Sequence, residues 1–154
     1  METSRHIRDE LEELVIEFAH RVDRGPVDTV ADLFAPDGWY GWGPDKRSTG
    51  RENIRAAYRA RAATGRRTAR HLMTNLRFRA IDEKHWSGLS IMLIFAENGP
   101  PPYPANPLLI ADVEDVFVLH EGRWLFQSRQ LTDLFTDPSR TPVLPLAVRE
   151  KSAS

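Results

Sequence analysis

Arg70-His71-Leu72-Met73-Thr74-Asn75 is where the chain changes its period. Before Gly65, apolar residues recur at the helical spacing of 3.6. After it they alternate, as in strands with one face buried. On this stretch Ala69, His71, Met73 and Asn75 share one face, and Arg70, Leu72, Thr74, Leu76 and Phe78 take the other. An early β-bulge would exchange the later positions. Four strands are expected, over residues 68–81, 85–97, 108–119 and 123–135. Asp82-Glu83-Lys84 and His120-Glu121-Gly122 are hairpin-length joins between them. The third join, residues 98–107, is proline-rich and long enough for a surface excursion or a lid.

Upstream, residues 5–23 read as an amphipathic helix. Ile7, Leu11, Leu14, Val15, Phe18, Ala19 and Val22 form its apolar stripe, and Asp9, Glu10, Glu12, Glu13 and Glu17 lie between them. Asp23 falls at the edge of that stripe, one turn beyond Ala19. Gly25-Pro26 stops this helix and starts a short second one, residues 27–34. Trp39-Tyr40-Gly41-Trp42-Gly43 reads as an aromatic strand, Pro44 to Gly50 as a polar loop, and residues 51–63 as a third helix with Ile54, Ala57, Tyr58 and Arg61 on one face. Three helices and then an antiparallel meander describe an α+β domain over residues 1–135. The sheet is expected to curl around the helices as a cone with a cavity at its mouth. Residues 136–154 read as an extended, proline-spaced tail.

The length of 154 residues suits one hydrophobic core. No apolar run approaches the ~20 residues of a membrane span, and the charged start lacks the apolar middle of a signal peptide. With no cysteine there is no disulfide, thiolate ligand or cysteine nucleophile, and a cytoplasmic location is expected. No metal-ligand spacing or phosphate-binding glycine loop occurs, so neither a metal nor a cofactor is expected. Charge is segregated. Between Arg51 and Arg79 nine arginines face one acid, Glu52, a local balance of +8 within a chain of net −1. The run has few interleaved aromatics and no nucleic-acid motif. It reads as a face that pairs with the acidic first helix or with a second subunit, with nucleic acid or an anionic ligand as the alternatives.

Five short motifs occur in order: Val22-Asp23-Arg24-Gly25, Leu33-Phe34-Ala35-Pro36-Asp37-Gly38, Gly50-Arg51-Glu52-Asn53-Ile54-Arg55, Arg70 to Asn75, and Gly122-Arg123-Trp124. Together they resemble the SnoaL-like branch of the nuclear-transport-factor-2-like superfamily. The resemblance covers about residues 5–135 and implies the cone-shaped fold with three N-terminal helices on a curved antiparallel sheet. Within that branch the chain is similar to hexachlorocyclohexane dehydrochlorinase and scytalone dehydratase. The likeness implies an Asp–His pair at Asp23 and His71, and a leaving-group arginine at Arg129. Two positions depart from those enzymes: Phe18 stands where the dehydrochlorinase has a lysine, and the dehydratase's second histidine has no counterpart near Phe95. Neither specific reaction is therefore implied, only the pair.

The expected function is a cofactor-independent lyase or isomerase. His71 would be general base and Asp23 its orienting partner, because a carboxylate on one ring nitrogen fixes the tautomer and leaves the other as the base. Tyr40, Trp39, Trp42, Asn75, Met73 and Phe18 are the candidate residues around a small-molecule ligand in an apolar cavity, with an aromatic, polyketide- or steroid-like substrate. The bland alternatives are that the aromatics are core, that Arg129 is saturated by Glu114 or Asp115 on the neighbouring strand, and that His71 is structural. The resemblance to aromatic-ring dioxygenase small subunits implies a second reading, a non-catalytic binding or structural subunit. A homodimer or homotrimer is expected, since the outer sheet face needs cover.

Overall fold

The computed structural model describes residues 2–140. Helix α1 (Glu2–Arg24) is followed by a 3-10 helix (Val27–Leu33), strand β1 (Phe34–Trp42), strand β2 (Lys46–Thr49) and helix α2 (Arg51–Ala63). Four long strands complete the order: β3 (Arg67–Ala80), β4 (His85–Asn98), β5 (Leu109–His120) and β6 (Arg123–Thr136). The C-terminal tail expected over residues 136–154 begins inside β6, and residues 141–154 lie outside the described residues. Among the described residues no helix is long and apolar enough to cross a membrane.

The six strands form one sheet in the order β2-β1-β6-β5-β4-β3. Two expectations are corrected here. The sheet is mixed, because β1 pairs with β6 in parallel while every other pairing is antiparallel. The polar loop read over Pro44 to Gly50 holds β2, whose Lys46–Thr49 pairs with Trp39–Trp42. A four-residue edge strand with one buried side chain, Ser48, carries too little alternation to read as a strand.

Helix α1 packs against both β3 at one edge and β6 in the middle, so the sheet curls around it. Leu11, Leu14, Val15 and Phe18 on the helix meet Phe34, Met92, Val113, Phe117, Phe126 and Leu131 in a single core. The Phe18 ring stands edge-on to Phe34, Tyr40 and Phe126, with centroids 5.9–6.4 Å apart. Burial of aromatic rings at such angles adds to the area removed from water.

The arginines of α2 do not pair with α1. Arg55 bonds Asp32, Glu52 and the Asp28 carbonyl, and Arg59 bonds the Asp28 carboxylate. They fasten α2 to the 3-10 helix, which is closer to it than the acidic helix is.

Candidate active site

Asp23 lies in the last turn of α1, where the helix dipole disfavours a carboxylate. Two N–H groups of β3 meet it there. Its Oδ2 accepts the backbone N–H of His71 at 2.8 Å, and its Oδ1 lies 2.6 Å from His71 Nδ1. One carboxylate thus grips the backbone and the ring of one residue. Both side chains are nearly enclosed, at 6% exposure for Asp23 and 13% for His71. With Nδ1 held by an acceptor, the neutral ring carries its proton on Nδ1 and its free lone pair on Nε2. Among the described residues no side chain or backbone group bonds Nε2.

The pair forms part of the wall of a cavity of about 480 Å³, within the usual size for a small-molecule site. Its apolar lining comes from Val22, Val27, Tyr40, Trp42, Ile94 and Leu108. Alternation explains which aromatics reach it. Tyr40 and Trp42 are two apart on β1 and share a face. Trp39 takes the other, where the Arg47 guanidinium stacks 3.6 Å from its ring centroid. Trp39 does not line the cavity, which corrects its assignment as a ligand contact.

Tyr58 of α2 also lines the cavity and stacks on Tyr40, with centroids 6.5 Å apart at 11°. Each hydroxyl is close enough to the other to bear on its proton. Burial pushes the Tyr40 hydroxyl up to about 12, with the Arg129 charge opposing, and burial likewise holds Tyr58 well above the usual tyrosine range. Both are neutral donors at physiological pH. Tyr58 is 4% exposed, so it belongs to the core and to the cavity wall at once.

Four further expectations are corrected. Asn75 is exposed, with φ at +55°, at a bulge between Thr74 and Arg77. The extra residue ends the alternation, so Leu76 and Phe78 turn inward in its place. Met73 faces a smaller hollow of about 250 Å³ on the far side of the Asp23–His71 pair. Phe18 is 1% exposed and belongs to the core. Arg129 is fully buried and does not line the cavity. It makes a bidentate pair with Asp115, 2.8 Å at both contacts, across the register position where β5 and β6 face each other. Its guanidinium is held 4.3 Å from the Phe18 ring centroid and 4.4 Å from that of Phe126. Burial pushes the Asp115 carboxyl up, and the Arg129 charge opposes it.

Four arginines are in the cavity lining: Arg24 and Arg66, which are exposed, and Arg61 and Arg67, which are half-buried. The proline-rich 98–107 segment contributes no residue to the cavity lining; only the adjoining Leu108 does. Among the described residues no group of three or more His, Cys, Asp or Glu is arranged to hold a metal.

No curated protein matches the chain in sequence. Solved structures match it in fold. A candidate scytalone dehydratase from Novosphingobium aromaticivorans shares 19% identity at a TM-score of 0.79, over 97% of this chain and 99% of that one. A protein of unknown function with a cystatin-like fold from Nostoc punctiforme shares 24% identity at a TM-score of 0.69, over 86% and 92%. A Catenulispora acidiphila protein in complex with S-DNPA shares 22% identity at a TM-score of 0.68, over 84% and 94%. At these identities the likeness is one of fold. The SnoaL-like domain family itself matches residues 3–130, most of the chain, and the chain belongs to that family.

Proposed function

We propose that the chain is a cofactor-independent lyase or isomerase in which His71 removes a proton from a small cyclic substrate. The observation that carries this is the Asp23 carboxylate held on both N–H groups of His71, in the wall of an open cavity. The Nε2 lone pair takes a proton from carbon next to a carbonyl or a leaving group. The imidazolium that results is stabilised by the carboxylate already bonded to Nδ1. The electron pair left behind moves onto the carbonyl oxygen. There a neutral phenol donor, Tyr40 or Tyr58, meets the developing charge. Return of the proton to another carbon completes an isomerisation, and departure of a leaving group completes an elimination. The likeness in fold to a candidate scytalone dehydratase accords with this class of reaction. A purely structural subunit would have its cavity filled by side chains, and about 480 Å³ of space favours a site that holds a ligand.

The test is hydrogen–deuterium exchange at the α-carbon of 2-tetralone in D₂O, followed by NMR. The wild-type chain accelerates it, His71→Ala abolishes the acceleration, and Asp23→Asn lowers it by about 10²–10⁴-fold. Equal rates with wild type and His71→Ala remove His71 from the mechanism. For the assembly we propose a dimer or trimer that covers Leu72, Leu89, Leu134 and Phe135, which are exposed on the sheet. Sedimentation velocity showing a single species of 17.6 kDa would refute it.

A further inference from the structure

The cavity's lining is more cationic than proton transfer requires. Arg24, Arg61, Arg66 and Arg67 line the cavity, whereas the one carboxylate in the lining among the described residues, Asp23, already accepts two bonds from His71. Ion pairs are made by arginines elsewhere, among them Arg21, Arg55, Arg59, Arg129 and Arg140. Arg61 bonds only neutral oxygens, those of Thr64 and Asn98. The nearest acid along the strands, Glu97, is taken by Arg140 at 2.6 Å. Burial and the neighbouring Arg61 charge push Arg67 down to about 10, with Glu97 opposing, so it stays charged at neutral pH. Two half-buried like charges beside each other disfavour the empty site, and an anion between them relieves both. Guanidinium groups also match carboxylate and phosphate oxygens two at a time.

We propose that the ligand of this cavity is an amphipathic anion. Its ring system lies against Tyr40, Trp42, Ile94 and Leu108, and its carboxylate or phosphate is gripped by Arg61 and Arg67, with Arg24 and Arg66 adding to the field. This builds on the proposed function by assigning its substrate class: the anionic end anchors the molecule, and the ring carbon attacked by His71 is carried inside. An anchor on these arginines also leaves His71 clear of the substrate's charge.

The test compares three probes of one shape by calorimetry: 1-naphthoate, 1-naphthyl phosphate and 1-naphthamide. The acid or the phosphate binds at least about tenfold tighter than the amide, and the tighter of the two identifies the anion. The preference shrinks to about twofold in Arg61→Gln/Arg67→Gln, is retained in Arg67→Lys, and is untouched in Arg59→Gln, whose side chain pairs with Asp28 outside the cavity. Melting temperature and circular dichroism check that each variant is folded. Binding of the amide as tight as that of both the acid and the phosphate overturns the proposal, as does absence of binding by any probe below about 1 mM, or a preference that survives the double variant. His71→Ala keeps the charge preference. A wild-type chain that prefers the anion yet exchanges no proton therefore rejects the reaction alone. One that exchanges protons without the preference rejects the anion alone.

Discussion

At the scale of single residues, the buried phenols make a prediction that needs no substrate. The Tyr40 hydroxyl is raised by burial to about 12, against about 10 in an unfolded chain. Below pH 10 both states hold the proton. As pH rises from 10 toward 12 the unfolded chain loses it first, so it binds fewer protons and stability falls. The loss approaches about 2–3 kcal/mol at the upper end from Tyr40, with Tyr58 adding in the same direction. Urea unfolding at pH 9, 10 and 11 should show this slope. Tyr40→Phe removes part of it, and Tyr40→Phe/Tyr58→Phe removes most. A double variant as alkali-sensitive as wild type would mean the hydroxyls are not buried. His71 and Asp23 stood out at this same scale in the sequence, because a histidine and a carboxylate carry recognisable chemistry wherever they fall. Arg129 stood out for the same reason, with two readings, a leaving-group arginine or the cross-strand partner of Glu114 or Asp115, and the pair with Asp115 is the one that forms. Only the cross-strand register puts Asp115 directly opposite it and closes both inside the core.

At the scale of elements, β3 does two jobs on either side of one bulge. Its first half presents Ala69 and His71 to the cavity, and its second half turns Leu76 and Phe78 into the core. Asn75 makes the change in the left-handed region, where its short polar side chain is tolerated. Asn75→Val should destabilise by about 1–2 kcal/mol and Asn75→Gly by little, both measured by urea midpoint. Because Asn75 lies outside the cavity, both variants should keep wild-type affinity for the naphthyl probes. A stable Asn75→Val would indicate a regular β3. The alternation of the strand was visible in the sequence, but the residue at which it slips was not. A bulge is chosen by the fit of β3 to β4, and that fit pairs Thr74 with Ile91 and Arg77 with Leu89, 17 and 12 positions away.

At the scale of the whole molecule, the core is tied together by the Arg129–Asp115 pair beneath Tyr40 and Phe18. Neither side chain exceeds 2% exposure. Breaking such a pair leaves one buried charge without its counter-charge. Arg129→Met should therefore destabilise by about 3–5 kcal/mol, and Arg129→Met/Asp115→Leu by markedly less. Urea unfolding of the two variants decides this, and equal losses would mean the charges are not coupled. Among the described residues Arg129 Nη1 is buried without a hydrogen-bond partner, so part of the pair's cost of desolvation is not recovered there. The same curl of the sheet that encloses this pair brings the ends of α1, α2, β1 and β3 around one cavity.

Local physics determined much of this protein from sequence alone. Apolar spacing marked α1, α2 and the four long strands to within a few residues, since side-chain period follows directly from backbone geometry. Five ordered motifs pointed to the SnoaL-like family and to Asp23 and His71. Tertiary structure decided the rest. The parallel pairing of β1 with β6, the slip at Asn75 and the enclosure of Arg129 depend on contacts between segments far apart in sequence. So does the meeting of Tyr58, Arg61 and Arg67 with His71 around one space. A periodicity reports which face of an element is buried, and only the packing of elements against one another determines what that face meets.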